Sequence, residues 1–170
     1  MNELTGAALQ AEAIAHLQRG EHAACWALCR PAVEDGSADA MLVNLAGMAR
    51  FHTGEKKAGL ALIEKAATMA PDNPDILGNL GNARLGQNDV DGAIDAYRRA
   101  IDRRGNEPSA WRNLAAALIR TDRQGELRTC LERLSKLAPK DPWPLVRLAI
   151  VAEAQDRAAE AIVLYRSAIA

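Results

Sequence analysis

The chain has 170 residues, five times 34, and carries 21 Lys plus Arg against 22 Asp plus Glu for a net charge of -1. It therefore has neither the basic excess that holds nucleic acid nor an acidic tail. Apolar residues make up 49% but aromatic ones only 4%, an Ala-rich balance that suits closely packed helices better than a β-sandwich.

No apolar run approaches the about 18 residues of a membrane span. No basic n-region precedes an apolar stretch, and Glu3 and Glu12 interrupt the first turns. Three cysteines without paired spacing read as reduced thiols rather than a disulfide framework. These features point to a cytoplasmic protein with neither a nucleic-acid nor a membrane partner.

Cut into blocks of 34 from Gly6, the chain repeats without insertion or deletion: 6–39, 40–73, 74–107, 108–141 and 142–170. With places numbered from one in each block, block one sets Leu9 at place 4, Ala13 at 8, Ala15 at 10, Gly20 at 15, Cys25 at 20 and Ala32 at 27. Block two repeats this with Val43, Gly47, Ala49, Gly54, Gly59 and Ala66, and block three with Leu77, Gly81, Ala83, Asn88, Ala93 and Ala100. Block four has Trp111, Ala115, Ala117, Asp122, Leu127 and Leu134, and block five Leu145, Ala149, Val151, Asp156, Ala161 and Ala168.

Places 4, 7, 8 and 11 are three or four apart, so they share one stripe of a helix, with small residues where a second axis comes close. Places 20, 24 and 27 do the same for a second helix. Place 15 holds residues suited to leaving one helix and starting another. Pro71 and Pro139, followed by Pro74, Pro108 and Pro142, end one hairpin and open the next. Each block is thus expected to be a helical hairpin, with a kink near Pro31 and looser packing over 121–138, where Leu127 and Leu134 replace small residues.

Leu80-Gly81, Ala93, Tyr97 and Ala100 of block three, with Trp111 of block four, carry a resemblance to the tetratricopeptide repeat (TPR) over residues 6–170. Block one departs from the pattern at Glu12 and Pro31, and block four at Leu127, Arg128 and Leu134. The resemblance implies an all-α fold, a right-handed solenoid of five hairpins in a single array over 1–170. It also implies a non-catalytic module that binds a peptide segment of a partner protein in its concave groove.

In proteins similar to this, the groove is lined by places 2, 5, 6, 9 and 13 of each first helix. Here those places supply Asn44 and Met48; Gly78, Asn79 and Asn82; Arg112, Asn113 and Arg120; and Trp143 and Arg147. Asn79 and Asn113, both at place 6, form two rungs resembling the asparagine ladder in the repeat arm of O-linked sugar transferases, with Asn44 one place out. Stacked amides can hold the backbone of an extended peptide whatever its side chains. The alternative reading is that Asn at this place holds the next hairpin.

The chaperone-binding form of the repeat clamps a terminal carboxylate with two lysines that Gly78 and Trp143 replace here. A full clamp is rejected, and a weaker site for an acidic segment is left at Arg112, Asn113 and Arg147. An interior helical glycine such as Gly78 costs about 0.5–1 kcal/mol relative to alanine, which is consistent with room kept for a ligand backbone or with an unoptimised surface position.

No phosphate-binding loop, nucleophile elbow or zinc-protease motif occurs, and no cofactor or metal is expected. His22, Cys25 and Cys29 share a helical face, but a fourth ligand is missing and the cysteines stand at packing places. Residues 1–95 carry net -6 and residues 96–170 net +5, a gradient able to orient a partner.

Block five ends on Ile162, Val163, Leu164, Tyr165 and Ile169 without a polar capping helix. This raises two alternatives. The chain is then either the N-terminal substrate-recruiting arm of a larger transferase, such as a bacterial protein O-glycosyltransferase, or a self-assembling scaffold whose uncapped C-terminal repeat associates with another copy.

Overall fold

Place 15 sets the turn inside most hairpins. The computed structural model describes residues 6–169, and in it Gly20, Gly54, Asn88 and Asp156 take positive φ of 74°, 97°, 68° and 57°. A left-handed residue after a helix lets the next amide reach back five residues to an otherwise unpaired carbonyl. The chain makes that bond four times, from the N–H of Glu21 to His16 O, Glu55 to Arg50 O, Asp89 to Arg84 O and Arg157 to Ala152 O, at 2.8–3.1 Å. Asp122, at the same place in block four, does not take the left-handed conformation. Its carbonyl instead accepts from the N–H of Gln124 at 2.9 Å.

The described residues form ten helices and fall into two compact units, Met1–Arg103 and Arg104–Ala170. The first unit holds α1 (Gly6–Gln18), α2 (His22–Asp35), α3 (Ala40–His52), α4 (Lys56–Met69), α5 (Pro74–Gly86) and α6 (Val90–Arg103). The second holds α7 (Pro108–Leu118), α8 (Gln124–Leu137), α9 (Trp143–Glu153) and α10 (Ala158–Ala168). Each block contributes one hairpin, so the all-α fold class read from the repeat is the fold of the molecule. Helix α2 continues through Pro31 to Asp35.

Place 34 starts several of the first helices. The Asp39 side chain accepts from Leu42 N–H at 2.8 Å, and that of Asn73 from Asp75 N–H at 3.0 Å and Ile76 N–H at 3.3 Å. Each satisfies amide donors that a helix start leaves unpaired. Glu107, at the same place before α7, makes no such side-chain bond, and α7 opens on Pro108 instead.

Within the first unit the hairpins close on glycine. A Cβ at Gly59 would stand 2.5 Å from Phe51 N and 2.7 Å from Gly47 O, so α3 and α4 meet backbone to backbone. A Cβ at Gly81 would fall 2.4–2.8 Å from atoms of the Tyr97 ring, which is fully buried under α5. In the second unit Leu127, Cys130, Leu131 and Leu134 of α8 are all buried. The larger residues at places 20 and 27 therefore fill this interior, rather than leaving the loose region expected there.

Candidate functional site

The first unit presents α3 and α5 side by side. Asn44 on α3 is 1% exposed, so it meets no partner directly. Its amide nitrogen lies 3.9 Å from Met41 Sδ and 3.8 Å from Met48 Sδ, and its Oδ1 accepts from Asn79 Nδ2 at 3.4 Å. Thioethers are weak acceptors, so the hydrogen bond to Asn79 is the main use of this buried amide. Asn44 is therefore the inner rung of a short amide ladder whose outer rung, Asn79, is half-buried on α5.

Beside this ladder lies a pocket of about 90 Å³. Met48 and Phe51 of α3, Ile63 of α4 and Ala83 of α5 give it apolar walls, while His52, Asn79 and Asn82 add polar ones. Asn82 Oδ1 accepts from the Tyr97 hydroxyl at 2.7 Å. Burial pushes the Tyr97 phenol up to about 12, so it keeps its proton and donates. His52 is held below the usual histidine range by desolvation first and by His22 second; the two imidazoles stack at 4.7 Å between centroids. Gly78, one turn before Asn82, would have nothing within 4 Å of an added Cβ. Packing thus explains Gly59 and Gly81 but not Gly78.

The second unit gathers a different set. The guanidinium groups of Arg112 and Arg147 lie 4.8 and 5.5 Å from the centroid of the Trp143 ring, a distance at which the π-cloud attracts a cation. Arg112 is paired with Asp141, whose other oxygen accepts from Trp143 N–H at 3.1 Å. Half-buried Arg147 has no carboxylate partner among the described residues, and the half-buried Asn113 side chain makes no hydrogen bond there. Arg120 lies past the end of α7, exposed in the turn.

The structure places Asn79 and Asn113 in different units. The rung it joins to Asn79 is Asn44, which the repeat register had put one place out. Sequence reasoning missed Phe51 and Ile63, which line the pocket, the bond by which Tyr97 orients Asn82, and Asp141, which holds Arg112. One signal was available for the last. Gln10 and Asp39 hydrogen-bond at the same spacing of 29 residues as Arg112 and Asp141, place 5 to place 34 of one block.

The cysteines are interior. Cys25, Cys29 and Cys130 are free and buried. The Cys29 thiol is pushed up by its hydrogen bond to Cys25 and by burial, and burial takes Cys130 up to about 12, the opposite of a reactive thiolate. His22 stacks on His52 while Cys25 and Cys29 face the core, so the three do not converge. Among the described residues no three His, Cys, Asp or Glu side chains gather as for a metal ion. No helix among them is long and apolar enough to cross a membrane.

Two-helix blocks in a 34-residue register, with the same turn bond recurring between them, define a helical-repeat scaffold. A family model of the tetratricopeptide repeat matches residues 54–122. Solved structures share the fold. A crystal structure of MamA is 14% identical over 92% of this chain and 92% of that one, with a TM-score of 0.84. Another, of MamA AMB-1, is 20% identical over 96% and 89%, with a TM-score of 0.82. YrrB, described as a TPR protein with an unusual peptide-binding site, is 17% identical over 99% and 87%, with a TM-score of 0.81. At these identities the likeness is one of fold. No curated protein sequence matches the chain significantly.

Proposed function

We propose that the chain is a non-catalytic interaction module that takes a peptide segment of a partner protein on the faces of its first helices. The observation that carries this reading is the pair Asn113 and Arg147. Both are half-buried, on the first helices α7 and α9 of one unit, and neither has its hydrogen-bonding or charge capacity met from within. An amide and a stacked guanidinium together recognise a backbone carbonyl or a carboxylate. The fold shared with YrrB, a TPR protein with a peptide-binding site, supports the same reading.

The test is selection from a displayed random-peptide library, against the chain and against an Asn113→Ala/Arg147→Ala variant. Sequences with an acidic residue or a free carboxyl end enrich on the first and are lost on the second, while circular dichroism and thermal melting stay nearly the same. Equal enrichment on both places the binding surface elsewhere.

A second reading, self-association, has its own observation. Helix α10 and its C-cap leave Ile162, Val163 and Ile169 exposed at 52%, 61% and 88%, and apolar surface of this kind marks contact sites. Mass measured by light scattering against concentration tests it, and a monomer throughout removes it.

A further inference from the structure

The pocket in the first unit differs in chemistry from the Arg112, Asn113 and Arg147 group. Met48, Phe51 and Ile63 give it an apolar lining, and no Lys, Arg, Asp or Glu takes part. Its one ionisable group, His52, is shifted toward the neutral form by desolvation and by the His22 ring. An occupant must therefore be uncharged. At about 90 Å³ the space falls below the about 300 Å³ at which small-molecule sites begin, and it fits a single aliphatic side chain.

The polar groups beside it are already oriented. Tyr97 holds Asn82 by its carbonyl oxygen at 2.7 Å, which leaves the amide N–H donors of Asn82 to face away from that bond. Asn79 uses its nitrogen on Asn44 at 3.4 Å, which leaves its own carbonyl oxygen as an acceptor. One donor and one acceptor, three residues apart on α5, match the C=O and N–H of an extended backbone. Gly78 lies on the same turn with nothing within 4 Å of its missing Cβ, so a backbone can approach α5 there.

We infer that this pocket receives one branched aliphatic side chain, of the Leu or Ile kind, from an extended peptide whose backbone is read by Asn79 and Asn82. This rests on the peptide-binding reading above and adds to it the chemistry of the segment bound.

The probe is N-acetyl-leucine N-methylamide, titrated into the isotopically labelled chain and followed by NMR. The matching glutamate and lysine compounds serve as comparators. A ligand of this size is expected to bind with a dissociation constant on the order of 1–10 mM. Saturable shifts should centre on the side-chain amides of Asn79 and Asn82 and on Ala83, with the charged compounds at least tenfold weaker. Gly78→Leu, which adds a side chain where there is open space, should weaken the leucine probe tenfold or more and leave the rest of the spectrum in place.

Equal shifts from all three compounds, shifts centred elsewhere, or indifference to Gly78→Leu would overturn the assignment. If the leucine probe fails while the peptide library still enriches in an Asn113- and Arg147-dependent way, the module stands and the aliphatic anchor falls. If both fail, the peptide-binding reading falls with it.

Discussion

Substituting three glycines by alanine should give opposite signs within one array. At Gly59 a Cβ would lie 2.5 Å from Phe51 N, 2.7 Å from Gly47 O and 2.8 Å from Phe51 Cα, whereas non-bonded carbon contacts settle near about 3.5–4.0 Å. All three neighbours are backbone, so no rotamer change relieves the contact and α3 must move away from α4. Overpacking of this kind costs about 1–3 kcal/mol. Alanine's helical preference returns about 0.5–1 kcal/mol, for a net loss between about 0 and 2.5 kcal/mol, placed toward the upper end because every neighbour is backbone. Gly81→Ala meets the Tyr97 ring at 2.4–2.8 Å. That ring is buried and its hydroxyl is held by Asn82, so it cannot swing aside and the loss is similar. Gly78→Ala meets nothing and should gain the full about 0.5–1 kcal/mol of helix preference. The assay is urea unfolding followed by circular dichroism, comparing midpoints because repeat arrays need not unfold in one step. A Gly59→Ala midpoint at or above that of the unaltered chain refutes the packing argument. A lowered Gly78→Ala midpoint refutes the claim that this face of α5 is open.

Three further outcomes can be checked on the same preparations. Gly54→Ala, at φ 97°, should cost about 1–2 kcal/mol in urea unfolding because a Cβ is strained there, while Asp122→Ala at the same place should change stability by less than about 0.5 kcal/mol. Tyr97→Phe removes the hydrogen bond to Asn82 and should cost about 0.5–1.5 kcal/mol, read as a lower thermal midpoint. The folded chain keeps His52 neutral below the ordinary value, so the unfolded chain takes up that proton first. Stability present above about pH 6.5 should therefore fall as the pH drops below it. His52→Gln should flatten that slope, and an unchanged slope assigns it to other groups.

The hairpins were legible because place 15 and place 8 carry their physical requirement in the residue itself. Gly20, Gly54 and Asn88 tolerate positive φ, and Gly47 and Gly81 allow a close axis. Asp122 looks equivalent by residue type but makes a different turn, since Asp adopts either conformation and the choice depends on its surroundings. The groove was less legible. Asn44 and Met48 stand at groove places, yet Asn44 is interior, because Met41 and Met48 fold over an amide that α5 reaches from the other side. The Arg112, Trp143 and Arg147 group depends on side-chain torsions, which repeat spacing leaves undetermined. Only the spacing of 29 residues to Asp141 was available to the sequence, and nothing in the repeat pattern draws attention to it.

The turn of block four carries a consequence for how the chain comes apart. The other four turns tie place 16 back to place 11, and block four ends α7 without that tie. It also exposes Arg120 and Arg123 on either side of Asp122, both of which trypsin cleaves. Leu118 O, the carbonyl that tie would reach, instead accepts from Thr121 N–H at 2.9 Å and from its hydroxyl at 2.8 Å, a shorter closure. Limited trypsin reads whether this turn opens before the other four, and first cuts elsewhere would show that the shorter closure holds as well. With no left-handed residue to preserve, the same turn should accept inserted residues at less cost than the four turns that hold one.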